Sequence, residues 1–192
     1  DKVYIGNSSI GFGGHVSKQV LLSYDTADLS FGTGDFTVET WMYPADTSPE
    51  KPVMGRSYQT SGVNGCWMLR VNEWNSDRVV FGFHNSTTNL AQFAGSGGAA
   101  NIITQGQWNH VSAVRDQSIS GNNTLKVYVN GFPISGTYSG TGTWRAADFV
   151  DSGQPIAVGG AAANTPSEGY YYIGEDGGHF DGYMDEIRVI KG

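Results

Sequence analysis

The sequence predicts an all-β fold, a two-sheet antiparallel β-sandwich of the jelly-roll kind. Three observations predict it. Apolar and polar residues alternate with a period of two along most of the chain, while helical periodicity is nearly absent. Glycine supplies 28 of 192 residues, roughly twice its average share, and many glycines fall between the alternating runs. Charged residues make up 15% and aromatic residues 12%, which suits packed sheets joined by polar, uncharged loops. The aromatic load excludes a disordered chain. The glycines have no three-residue period, which excludes collagen. The length reads as a single domain over residues 1–192, able to bury about 70% of its unfolded surface without staples.

Even the segment most open to a helical reading, Val16 to Tyr24, alternates better than it spirals: Val16, Lys18, Val20, Leu22, Tyr24. Phe36, Val38, Thr40 and Met42 occupy one face of the next strand, with Thr37, Glu39, Trp41 and Tyr43 on the other. Trp67, Leu69 and Val71 alternate with Met68 and Arg70, and Val79, Phe81 and Phe83 follow a longer hairpin over residues 72–78. Val111 and Ala113 alternate with Ser112 and Val114, and Leu125, Val127 and Val129 with Lys126 and Tyr128. Asn130-Gly131 then predicts a two-residue type I′ turn, because both residue types tolerate positive φ. The last strand carries Tyr183, Asp185, Ile187 and Val189 on one face and Met184, Glu186, Arg188 and Ile190 on the other. Asp185 thus shares a face with apolar residues. Residues 94–101, 136–143 and 159–169 read as loops.

Formal net charge is -7, and the 11 basic residues are scattered. That argues against a nucleic-acid partner. No run of 18 apolar residues occurs, so membrane insertion is not expected, and no signal peptide is read. The single cysteine, Cys66, excludes an internal disulfide and reads as a buried, inert thiol. The start at Asp1, without methionine, suggests a piece of a longer protein or assembly.

Four segments carry a resemblance. Phe31 to Trp41 (FGTGDFTVETW) resembles the first core strand of laminin-G-like, or concanavalin A-like lectin/glucanase, jelly-roll domains. Gln107 to Arg115 (QWNHVSAVR) resembles the family's central strand, and Leu125 to Gly131 its hairpin. Tyr172-Ile173-Gly174 and Phe180 to Val189 resemble its closing strands. The four occur in the family's order and span most of the chain. The first and last motifs look most like versions in phage and marine viral structural proteins. The segment Ser23-Tyr24-Asp25-Thr26 departs from the family's usual pattern.

The resemblance implies a module for glycan or protein recognition, and some members of the fold are glycoside hydrolases. Those place three carboxylates on one strand, Glu-x-Asp-x-(x)-Glu, and no such segment occurs here. The nearest set is Asp181, Asp185 and Glu186, with Glu186 expected on the opposite face, and Glu39 is isolated on its strand. None of His15, His84, His110 and His179 lies in a nucleophile motif, and His110 reads as a hydrogen-bonded core residue. The chain is therefore expected not to be an enzyme.

The resemblance also implies one structural calcium ion, with Asp185, the Gly34 carbonyl and Gly14 as ligands. The other reading of Asp185 is an acceptor of backbone hydrogen bonds at a strand end. The loop Glu175-Asp176-Gly177-Gly178-His179 reads as solvated. Glu39 is expected to pair with Arg115 or Arg188 across neighbouring strands.

Sugars are met by aromatic faces and polar companions. Trp74 at a hairpin tip, with Asn75 and Asp77, and Tyr58 and Trp144 in or beside polar loops, are the candidate ligand-binding residues. Tyr138, Asn101 and Asn164 are further loop companions. The other reading of Trp74 and Trp144 is that each caps the core, and it is the favoured one for Trp144, while Trp41, Trp67 and Trp108 are assigned to the fold. The sequons at Asn7, Asn85 and Asn122 read as chance. Together these readings predict a recognition module, virion-borne or extracellular, whose partner is a cell-surface glycan or protein. The alternative is a structural virion domain contacting neighbouring subunits.

Overall fold

The computed structural model describes residues 4–13, 21–23, 29–46, 51–56, 66–71, 78–84, 89–94, 102–136, 138–149, 156–160, 162–165, 169–172 and 179–192. Among them are fifteen strands and no α-helix. In chain order they are β1 (Ile10–Gly13), β2 (Leu21–Ser23), β3 (Phe36–Pro44), β4 (Lys51–Arg56) and β5 (Cys66–Val71). Then come β6 (Val79–His84), β7 (Asn89–Ala94), β8 (Asn109–Arg115), β9 (Leu125–Val129) and β10 (Phe132–Pro133). The last are β11 (Tyr138–Thr141), β12 (Ile156–Val158), β13 (Ala162–Thr165), β14 (Gly169–Tyr172) and β15 (Asp181–Lys191). One sheet has six strands in the order β1-β15-β3-β8-β9-β10, and the other has seven, β11-β7-β6-β5-β4-β12-β2. The β13–β14 hairpin pairs with itself and lies against β4. All the pairings are antiparallel, as the alternating sequence predicts.

The core lies between the two sheets. Val38 and Met42 of β3, Val111 and Ala113 of β8 and Val127 of β9 meet Trp67 and Leu69 of β5 and Phe81 and Phe83 of β6. Aromatic rings fill one end: Phe31 stacks on Phe36 at 4.4 Å, and Phe149 approaches Phe83 at 4.2 Å. Trp144 belongs to this cluster. It is 0% exposed and its ring lies 5.9 Å from Phe81. That corrects its reading as a ligand-binding residue, because a side chain with no exposed surface offers a sugar no face. The polar neighbours of Trp144 in sequence mark only where the chain returns to solvent.

Arg115 sits in the same end of the core. Its Nε donates to Gly34 O at 2.7 Å, Nη1 to Ala147 O at 2.7 Å and Nη2 to Gly32 O at 2.8 Å. The guanidinium also lies 4.6 Å from the centre of the Phe149 ring and 5.1 Å from that of Phe36. Burial pushes its pKa down to about 10, while Asp35 and Asp148 push it back up. It therefore stays charged at neutral pH and ties two backbone segments, 32–34 and the one at Ala147, to the end of β8.

The Asn130-Gly131 turn forms as predicted, with φ of 51° and 81°, and sets Phe132 opposite Val129. A Cβ on Gly131 would meet nothing within 4 Å, so only backbone conformation resists a side chain there. Gly131→Ala is expected to lower stability by about 1 kcal/mol, read from the urea midpoint at unchanged m.

The two outer faces differ. On the seven-stranded sheet Met68, Val80 and Ala157 alternate away from the core, yet are only 8%, 0% and 0% exposed. That face is covered. On the six-stranded sheet the outward side chains of β3 are each half-buried.

Candidate functional site

The open outer face of the six-stranded sheet gathers the chemistry. Its geometry follows from register, since residues opposite one another on neighbouring strands share a face. Tyr183 of β15 stands opposite Tyr43 of β3, and Trp108, just before β8, lies 5.7 Å from Tyr43. The next row is Asp185, Trp41 and His110. The row beyond it is Arg188, Glu39, Ser112 and Tyr128. An aromatic row therefore grades through a mixed row into a charged one, with Trp41 at the centre. The Trp41 and His110 rings are 5.1 Å apart and those of Tyr43 and Tyr183 6.2 Å.

A β-bulge in β15 completes the charged row. Between Asp185 and Arg188 the strand holds one residue more than β3 opposite it, and Glu186 takes a φ of 49°. Asp185 stabilises the turn, its Oδ1 accepting from Glu186 N at 2.8 Å. Thr40 Oγ1 donates to the Asp185 carbonyl at 3.0 Å. The bulge brings Glu186 into contact with Arg188, whose Nη1 lies 3.5 Å from Glu39 Oε1. Strict alternation would have turned Glu186 to the opposite face, so that expectation is corrected by the bulge. The hydrogen bond and charge of Glu186, helped by Glu39, hold Arg188 above its already high pKa.

Glu39 pairs with Arg188, one of the two arginines expected, and its Oε2 lies 3.4 Å from His110 Nε2. The other arginine, Arg115, spends its donors on backbone carbonyls. The Arg188 side chain is 54% exposed, so water screens the pair. Glu39→Gln is expected to cost less than about 1 kcal/mol in chemical denaturation. A larger loss would show that the ion pair holds the sheet together.

Several sequence readings move. His110 is not a core residue, because it alternates outward from Val111 and stands beside Glu39 and Trp41. Trp67 is buried as assigned, but Trp41 and Trp108 are half-buried on the outer face. The signal for Trp41 was present in the alternation that placed it beside Thr37, Glu39 and Tyr43.

The calcium site does not assemble from Asp185 and Gly34. Asp185 stands opposite Trp41, whereas Gly34 precedes Phe36, which pairs with Lys191 at the far end of β15. At about 3.3 Å per residue they are roughly 20 Å apart, too far to share one ion. The Gly34 carbonyl already accepts from Arg115. Asp185 Oδ2 accepts from Ile5 N at 2.9 Å and Tyr4 N at 3.3 Å, the backbone-acceptor role that was its other reading. Among the described residues no group of three or more His, Cys, Asp or Glu is placed to hold a metal. Gly14, Tyr58, Trp74, Asn75, Asp77, Asn101, Glu175 and Asp176 lie outside the described residues, as do the side chains of Cys66, Tyr138 and Asn164.

Two antiparallel sheets packed face to face form a jelly-roll sandwich, with rows of rings and charges on the outer face of the six-stranded sheet. The chain belongs to the concanavalin A-like lectin/glucanases superfamily, whose family profile matches residues 19–192. Solved structures agree on the fold. Domains LG4-5 of the mouse laminin alpha1 chain superpose with a TM-score of 0.58 at 15% identity, covering 98% of this chain and 42% of that one. The native heptameric SAP-like pentraxin of Limulus polyphemus gives 0.52 at 16%, covering 83% and 65%. The CBM40 of the Ruminococcus gnavus IT-sialidase, bound to α2,3-sialyllactose, gives 0.57 at 11%, covering 93% and 88%. The chain thus spans less than two thirds of the pentraxin and of the laminin fragment. No curated protein matches the chain by sequence. No helix among the described residues is long and apolar enough to cross a membrane.

Proposed function

We propose that this domain is a non-catalytic recognition module that binds glycans outside the cell through the outer face of its six-stranded sheet. The observation that carries the reading is the half-buried platform of Trp41, Trp108, Tyr43 and Tyr183 beside the Glu39, His110 and Arg188 row. Flat rings cover the C–H faces of a sugar and the adjoining polar groups meet its hydroxyls. The CBM40 neighbour, which binds sialyllactose, supports carbohydrate as the ligand class. Among the described residues the face carries Asp185, Glu39 and Glu186 against the guanidinium of Arg188, with Lys126 of β9 one row further from Trp41. That balance favours neutral sugars over sialylated ones, because a sugar carboxylate would meet like charge.

The described carboxylates of this face do not suit hydrolysis. Glu39 and Glu186 both engage Arg188, and Asp185 accepts three backbone N–H groups. Such carboxylates are committed to neighbours rather than poised to move a proton. Calcium enters only through ligands other than the Asp185 and Gly34 pair, and a fall in melting temperature with EDTA is its test. A second reading, a subunit contact within a virion, draws on Phe132, which is 72% exposed beside the Asn130-Gly131 turn. Native mass spectrometry of the wild type and Phe132→Ser tests it through the oligomeric state.

The glycan reading is tested by an array of neutral and sialylated oligosaccharides probed with the wild type and Trp41→Ala. Binding to neutral glycans, lost in the variant, is expected. Undiminished binding by a folded Trp41→Ala protein would move the site elsewhere.

A further inference from the structure

The platform already holds a ring of its own chain. Residues 4–6 cross the outer face before β1, and the Tyr4 ring stacks on Trp41 with centroids 3.7 Å apart and planes at 21°. Tyr4 also leans on Trp108 at 5.7 Å. The segment is tethered by one carboxylate, with the Tyr4 and Ile5 amides donating to Asp185 Oδ2. Tyr4 is nonetheless 41% exposed and Ile5 49% exposed. Gly6, at φ 74°, then turns the chain away.

We infer that Tyr4 is a built-in occupant of the sugar-stacking position on Trp41, and that ligand and Tyr4 exclude one another. The inference rests on the glycan reading of this face. A phenol ring and a pyranose ring cover similar area, and Trp41 has one outward face to offer. The strap is held by one ring stack, the tilted contact with Trp108 and one half-buried carboxylate, and ordering its exposed residues opposes closure. Its closure is therefore shallow enough for a ligand to reverse. The polar tether has a second consequence. Replacing Asp185 by a neutral side chain loosens the strap without touching any ring.

The arithmetic of exclusion is simple. For a strap closed in most molecules, the open fraction is below one half. The apparent dissociation constant is the intrinsic one divided by that fraction. Releasing the strap should therefore tighten binding at least about twofold.

The test titrates lactose, cellotriose, maltotriose and chitotriose into the wild type, Tyr4→Ala, Asp185→Asn and Trp41→Ala, following heat or tryptophan emission. Exchange of the Tyr4 and Ile5 amides is measured in parallel on the wild type and Asp185→Asn. Tighter binding by Tyr4→Ala and Asp185→Asn is expected, with faster exchange of both amides when sugar is added to the wild type. Equal affinity in wild type and Tyr4→Ala, with binding lost in Trp41→Ala, would overturn the exclusion and leave the glycan reading standing. Sugar binding that leaves exchange of both amides unchanged would overturn it as well. Failure of all four sugars to bind any folded variant, or binding untouched by Trp41→Ala, would overturn both.

Discussion

Replacing Arg115 by alanine is expected to lower unfolding free energy by about 3 kcal/mol or more, enough to threaten a domain of ordinary stability. The side chain is 1% exposed and supplies the hydrogen bonds that Gly34 O and Ala147 O receive. Gly32 O would keep its bond from Phe149 N at 2.9 Å, so two carbonyls rather than three lose a donor. Each buried, unsatisfied carbonyl costs about 1–3 kcal/mol. The cavity and the lost contact with the Phe36 and Phe149 rings add to this. Relief from burying a charge offsets part of the loss, as the lowered pKa of the guanidinium indicates. Arg115→Lys should recover little, because one ammonium cannot reach carbonyls fixed by a planar fork. Urea denaturation measures both variants, and a loss below about 1 kcal/mol for alanine would show that water replaces the guanidinium.

The second large effect is on binding. Trp41→Ala is expected to weaken glycan affinity about tenfold or more while changing stability modestly. Trp41 is the ring at the centre of the three outward rows, flanked by Asp185 and His110 and half-exposed. Removing it takes away the widest flat surface on the platform. Loss of one stacking contact of about 1–2 kcal/mol translates into roughly a tenfold change. Stability falls less than for a core tryptophan, because the core side of β3 is carried by Val38 and Met42. Trp144→Ala is the contrast. Its ring is wholly enclosed, so its loss should unfold the protein rather than change specificity.

Much of the fold was legible because its signals are local. Strand alternation in 36–43 and 125–129, and the Asn130-Gly131 turn, each depend on neighbours within a few residues. The site was less legible for three physical reasons. Outward-facing rings look like core rings until one knows which sheet face is covered, as Trp41 and Trp108 show. A bulge breaks the period of two, and neither Asp185 nor Glu186 is a residue whose type announces one. Long-range register separates Asp185 from Gly34, since Asp185 lies mid-strand opposite Trp41 and Gly34 lies beyond the Phe36–Lys191 end of the same pair. The Glu39 to Arg188 pair was readable because both lie on neighbouring strands and their types are complementary. The role of Asp185 turned on Tyr4, 181 residues away, a separation no local pattern bridges.

The central claim is that the outer face of the six-stranded sheet is the ligand-binding surface. The most direct measurement is a two-dimensional NMR titration of the isotope-labelled protein with the neutral oligosaccharide that binds it best on the array. The account predicts that the largest shift changes fall on the indole N–H groups of Trp41 and Trp108 and on the amides of Tyr4, Ile5 and Glu186. Shift changes confined to residues 57–65 and 72–77, Trp74 among them, with the Trp41 indole unmoved, would contradict it.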